Sequence, residues 1–231
     1  MPENFVQGNV AYNSKLAPEA WSGVTLRQEV RYKLLGAAKM FIDSLDIPKV
    51  KILDIVLTGS MANFNYTKYS DFDVHVVTRY SDLECDDLAE AFYQAKKKIW
   101  NDGHDIIVRG HEVELYVEDA TEPPVAAGIY SLLDNAWLRQ PSYQPPSIDD
   151  SAVNHKVQDL ITQIKSSIQG ANSADDVRRL LVKLRKMRQS GLDRGGEYSV
   201  ENLSYKILRN LGYLDRLTQA IKDQQDAALS L

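Results

Sequence analysis

Residues 54–77 read DIVLTGSMANFNYTKYSDFDVHVV, and this stretch decides the fold. The apolar run 50–57 (VKILDIVL) looks like an inner strand ending at Gly59-Ser60, where a positive φ or a close backbone approach costs glycine little. Ten residues later Asp71-Phe72-Asp73 opens residues 71–77, where polar and apolar side chains alternate. Alternate side chains of a strand face opposite ways, so Asp71 and Asp73 share one face while Phe72, Val74 and Val76 face a core. Two carboxylates side by side repel by about 4 kcal/mol at roughly 4 Å and an effective dielectric near 20. A divalent cation would remove that cost.

Upstream, Val30, Leu34, Ala37, Ala38 and Phe41 recur at helical spacing, with Ser22 or Thr25 as a cap and Pro48 as a stop. Residues 1–24 are polar with scattered aromatics and no steady period, which predicts a loosely structured arm able to pack over the domain. Downstream, Leu83, Leu88, Ala91, Phe92, Ala95 and Ile99 predict a helix over 82–100. Its acidic start (Asp82, Glu84, Asp86, Asp87) and basic end (Lys96, Lys97, Lys98) suit the helix dipole and read as a solvated face. Residues 105–109 and 112–117 predict two strands around a turn at Gly110-His111. On the second strand Glu112, Glu114 and Tyr116 share a face. Residues 125–137 predict a helix, in which Tyr130 and Trp137 read as core.

The proline-rich stretch PSYQPP marks a linker over 141–147. Beyond it the pattern is helical throughout: one helix ends at Gly170 and a second is capped at Ser173. After a turn at 191–196, a third spans 199–211 and a fourth 214–229. The expected domains are an arm (1–24), a core (25–140), a linker (141–147) and a helical domain (148–231).

Composition narrows the classes. With 231 residues, 44% apolar and 26% charged, the chain has ordinary globular make-up, and its net charge of −5 argues against a general nucleic-acid coat. Cys85 is the single cysteine, so no internal disulfide forms and a reducing compartment is expected. The first residues lack a basic and then apolar leader, and no run is long enough to span a membrane, so a cytoplasmic protein is expected.

The Gly59-Ser60 turn, the ten-residue gap and Asp71-x-Asp73 in a strand resemble the signature of the DNA polymerase β-like nucleotidyltransferase superfamily, in its minimal, prokaryotic or phage-type form. The order of elements over residues 25–140 agrees with it. The resemblance implies an α+β fold, a mixed and mostly antiparallel sheet flanked by helices, followed here by a helical bundle. It also implies a third acid on a neighbouring strand, for which Val113-Glu114-Leu115 matches. That acid is commonly Asp in the family and is Glu here, with Glu112 on the same strand face as an alternative.

From the resemblance, Asp71, Asp73 and Glu114 are the expected catalytic and metal ligands, holding two Mg²⁺ ions or Mn²⁺ in their place. Gly59 and Ser60 would meet the triphosphate of ATP or another nucleoside triphosphate. The expected enzyme transfers a nucleoside monophosphate to a hydroxyl of RNA, such as a tRNA end, or of a protein, and releases pyrophosphate. A catalytically inactive nucleotide- or RNA-binding module is the alternative.

Residues 178–209 carry nine Lys or Arg against three acids. One reading is a phosphate-binding wall that includes Lys183 and Lys206. The other is a solvated helix face with salt bridges.

Overall fold

The computed structural model describes residues 4–47, 50–83, 88–122, 126–171 and 173–230. Pro48 and the acidic stretch 84–87 lie outside them. The chain divides into two compact units, residues 11–144 and residues 1–10 with 145–231.

The first unit opens with a small hairpin, β1 (Trp21–Ser22) and β2 (Thr25–Leu26), and then α1 (Gln28–Leu45). A six-stranded sheet follows: β3 (Asp54–Thr58), β4 (Phe72–Thr78), β5 (Ile107–Val108), β6 (His111–Asp119), β7 (Ile129–Ser131) and β8 (Ala136–Arg139), with α2 (Ala89–Gly103) between β4 and β5. The strand order is β5-β6-β4-β3-β7-β8. All pairs are antiparallel except β4 with β6, which α2 joins in parallel.

Strict alternation along β4 and β6 buries Phe72, Val74 and Val76 with Val113, Leu115 and Val117. Val30, Leu34, Ala38 and Phe41 of α1 and Tyr93 and Trp100 of α2 pack into the same core. Both helices therefore cover one face of the sheet. On the opposite face lie the residues that alternate with these.

Beyond Val113 the outer edge of β6 has no strand partner among the described residues. There Asn101 of α2 donates from Nδ2 to the Leu115 carbonyl at 3.1 Å and accepts from the Leu115 N–H at 3.1 Å. One side-chain amide thus occupies the exposed ladder position, a device that blunts a sheet edge.

Three expectations are corrected in this unit. Of the expected helix 125–137, Val125 lies outside the described residues and residues 129–137 belong to the β7–β8 hairpin, with Asn135 turning at φ 55. Its partner is β3, a tertiary influence that outweighs the helical spacing. Helix α2 begins at Ala89 rather than 82, after a short 3₁₀ turn over Tyr80–Asp82. In the β5–β6 hairpin the turn residues are Arg109 and Gly110, both at positive φ, while His111 is a buried strand residue.

The N-terminal segment is not loose either. Phe5 and Val6 are buried, and their N–H groups donate to Asn154 Oδ1 at 2.8 and 3.2 Å. Within the sheet unit Trp21 donates to the Met61 carbonyl at 2.7 Å and stacks on Trp137 with centroids 4.7 Å apart.

The second unit holds α3 (Asp150–Gly170), α4 (Ala174–Gly195), α5 (Val200–Asn210) and α6 (Tyr213–Leu229). Local caps set their starts: Asp149 accepts from Ala152 N, Ser173 and Asp176 form a capping box, and Ser199 caps α5. Helix α4 runs straight through the expected turn at Gly191. A Cβ there would lie 2.7 Å from Glu201 Cβ, so the glycine serves close packing of α4 on the start of α5. Among the described residues no helix is long and apolar enough to cross a membrane.

Candidate active site

The sheet face away from α1 and α2 gathers the acidic residues. Asp71 stands at the entrance to β4 and Asp73 lies within it, both half-buried. In the parallel β4–β6 pairing the register partner of Asp73 is Glu114. Neighbouring strands lie about 4.8 Å apart, so their carboxylates emerge side by side on one face. Glu112 is on the same face two residues earlier, exposed and paired across to Ile107. Burial, then Glu114 and Asp105, push its carboxyl above the ordinary range. Register therefore favours Glu114 over Glu112 as the partner of Asp73.

Gly59 follows β3 at φ 72 and ψ −161, a region open essentially to glycine alone. A Cβ on it would sit 1.8 Å from Asp73 Oδ2 and 2.7 Å from Cγ. The Asp73 carboxylate thus occupies the space that a side chain at 59 would need. Ser60 begins a 3₁₀ turn (Ser60–Ala62), and its hydroxyl donates to Ser70 Oγ at 2.8 Å. Ser70 Oγ also accepts from Thr67 N at 2.9 Å. The Ser70 carbonyl meets His111 Nδ1 at 2.6 Å, and His111 Nε2 lies 3.2 Å from Glu19 Oε1. Ser70 and His111 thereby tie the 60–71 segment to the start of β6.

Beside the carboxylates stands a group that the sequence did not single out. The Tyr116 hydroxyl donates to Glu114 Oε2, two residues away on the same strand face. Its ring stacks on its register partner His75, centroids 4.6 Å apart and 13° from parallel. His75 Nδ1 lies 2.8 Å from Glu118 Oε2. From α2, Lys97 Nζ lies 3.8 Å from the centroid of the Tyr116 ring.

Burial first, then the charges of Asp73 and Glu114, push the Tyr116 phenol far above its ordinary value, so it stays a donor. Burial lowers the Lys97 ammonium, while Glu114 and Asp73 pull it the other way. Alternation on β6 was the available signal for Tyr116. Nothing in the local pattern separated Lys97 from the lysines either side of it.

Lys183 lies on α4 and Lys206 on α5, both in the helical unit. Lys206 Nζ is 3.4 Å from Glu197 Oε1. Other cations of the basic segment also have partners within their own unit. Arg178 pairs with Asp175, Arg179 with Asp176 and Arg194 with Glu201, while Arg188 donates to Asn202. Tyr130 is fully buried, and the half-buried Trp137 stacks on Trp21, so both belong to the aromatic core.

Among the described residues no three His, Cys, Asp or Glu side chains are grouped to hold a metal ion by themselves. Magnesium seldom asks for such a cage. It commonly binds through one or two carboxylates and completes its shell with water and substrate phosphates. The Asp73 carboxylate, seated against Gly59 with a second acid opposite, offers that kind of all-oxygen donor set.

No protein-family model matches the chain, and no curated protein matches it. Among solved structures it is similar to one described as a STING-associated CdnE c-di-GMP synthase from Capnocytophaga granulosa. That match has 14% identity over 88% of this chain and 84% of the other, with a TM-score of 0.26. A likeness at that score carries no argument about function, which has to come from the side chains of the sheet.

Proposed function

We propose that the chain is a metal-dependent nucleotidyltransferase of the DNA polymerase β-like type. It would join a nucleoside monophosphate from a nucleoside triphosphate to an acceptor hydroxyl, on an RNA or tRNA end or on a protein side chain. One observation carries the proposal: the β4–β6 register sets Glu114 opposite Asp73, and the Asp73 carboxylate rests in the space left open at Gly59.

In this reading Asp71, Asp73 and Glu114 would hold two Mg²⁺ ions, or Mn²⁺ in their place. When bound, such ions neutralise phosphate charge and make the acceptor hydroxyl easier to deprotonate. Gly59 lets the backbone come close to the triphosphate, where the backbone N–H groups of the turn and the Ser60 hydroxyl would donate to it. The acceptor oxygen forms a bond to the α-phosphorus as the α–β bridging P–O bond breaks. Pyrophosphate leaves, and the acceptor proton passes to a carboxylate oxygen.

The test supplies each of the four α-labelled triphosphates with Mg²⁺ and total cellular RNA or protein. Label should pass to an acceptor with the wild-type chain and not with Asp73→Ala. No transfer with any triphosphate and either pool would refute the proposal.

A second reading starts from Glu114, where the family that the chain resembles commonly carries Asp, and makes the chain a catalytically inactive module that binds nucleotide or RNA. Nucleotide affinity without turnover, retained in Asp71→Asn, would favour it.

A further inference from the structure

A glutamate reaches one methylene further than an aspartate and has one more rotatable bond. Left alone at the rim of a sheet it samples many positions, and holding it in one costs conformational entropy. At Glu114 that freedom is removed by a neighbour. Tyr116 donates its hydroxyl proton to Glu114 Oε2, which fixes the orientation of the carboxylate while lone pairs remain on its oxygens for a ligand.

The tyrosine is itself held. His75 stacks on its ring at 4.6 Å, and the Lys97 ammonium stands 3.8 Å from the ring centroid. One ring face has room for one such neighbour, so the two take opposite faces. His75 is fixed by Glu118 at 2.8 Å. Lys97 lies one helical turn before Asn101, whose amide is bonded to both polar atoms of the Leu115 backbone. Strand and helix thus leave the Tyr116 ring little choice of rotamer, with its hydroxyl on Glu114 Oε2.

We infer that Tyr116 is a positioning residue for Glu114, clamped between His75 and Lys97 so that the longer acid is held in one orientation beside Asp73. The inference rests on the metal-dependent reading above and adds to it the reason a glutamate works at this position. Partners that orient a metal ligand typically change metal affinity by about 10–100-fold when removed. Here the effect must also depend on the length of the acid at 114.

The probe is Mn²⁺ alone, its free-ion signal followed by electron paramagnetic resonance with the full chain. The proteins are the wild type, Asp73→Asn, Tyr116→Phe, Glu114→Asp and the Tyr116→Phe/Glu114→Asp double variant. The phenylalanine keeps the ring between His75 and Lys97 and removes only the hydroxyl. Tyr116→Phe should weaken Mn²⁺ binding by about tenfold or more with little change in Tm. In the Glu114→Asp background, where the shorter arm no longer reaches the hydroxyl, the same change should cost less than about twofold.

Equal losses in both backgrounds, or a Tyr116→Phe variant that binds like wild type while Asp73→Asn does not bind, would overturn the inference and leave the metal site standing. A wild-type chain that binds no Mn²⁺ would remove both. Should Tyr116→Phe fail to fold, 4-aminophenylalanine at 116, which restores a donor at the same place, should bind within about twofold of wild type. Weak binding by that folded variant would also overturn the inference.

Discussion

Replacing Gly59 by alanine tests the link between backbone and carboxylate directly. Two costs follow from the structure. The backbone at φ 72 and ψ −161 is strained for any L side chain, by about 1–3 kcal/mol. The new methyl would fall 1.8 Å from Asp73 Oδ2, so the carboxylate must swing away from its place opposite Glu114. At roughly 4 °C per kcal/mol for a unit of this size, the strain alone lowers Tm by about 4–12 °C. The displaced carboxylate adds a loss of Mn²⁺ affinity that strain elsewhere would not produce. Differential scanning calorimetry and Mn²⁺ titration read the two effects separately. In an Asp73→Ala background the nearest remaining contact is with the Cβ of residue 73 at 3.2 Å, which needs only a small adjustment, so Gly59→Ala should then cost little beyond the backbone share. A cost unchanged by Asp73→Ala, or wild-type metal affinity in Gly59→Ala, would refute the reasoning.

Asn101→Ala removes both hydrogen bonds to the Leu115 backbone, and thermal or urea unfolding should show a loss of about 2–3 kcal/mol. The same variant should expose the Leu115 amide, and a shortened hydrogen-exchange lifetime at that one position would confirm it. Burial first, and then Asp119 and Glu90, push the Tyr80 phenol from an ordinary value of 10.0 up to about 12. The folded chain therefore holds that proton more tightly than the unfolded chain, and the stability this represents is complete below pH 10 and lost progressively as pH rises towards 12. Alkaline unfolding should accordingly steepen in that window and flatten in Tyr80→Phe.

Local chemistry made much of this protein readable, and distance in sequence hid the rest. The alternation of residues 71–77 and 112–117 gave the two strands their faces, because a period of two is a property of neighbouring residues. Helix starts at Ser173 and Ser199 were legible for the same reason: a cap binds N–H groups two or three residues away. Residues 125–137 misled because their apolar spacing suits a helix, while their true partner, β3, lies more than seventy residues upstream. The turn at Asp134-Asn135 was the local hint against a helix. Trp21, which stacks on Trp137, and Phe5, which docks on Asn154, likewise depend on partners over a hundred residues off. His111 looked like part of a turn because histidine after glycine often is. Its burial depends on Ser70 and Glu19. Lys97 reads as one of three surface lysines until the edge of β6 brings a tyrosine beneath it.

The one-to-one pairing of β4 with β6, from Phe72 opposite Val113 to Thr78 opposite Asp119, also determines where this gene can change length. Residues gained or lost in the crossover segments that join α2 to the strands leave Asp73 facing Glu114 and the contacts of α2 with β6 in place. One residue gained inside either strand reverses every side chain beyond it. Glu114 would then turn into the core packed by Phe41 and Trp100, and a leucine or valine would stand in the acid's place. Among distant relatives of this chain, insertions should therefore collect in the crossover and spare the strands, even where almost no residue identity survives.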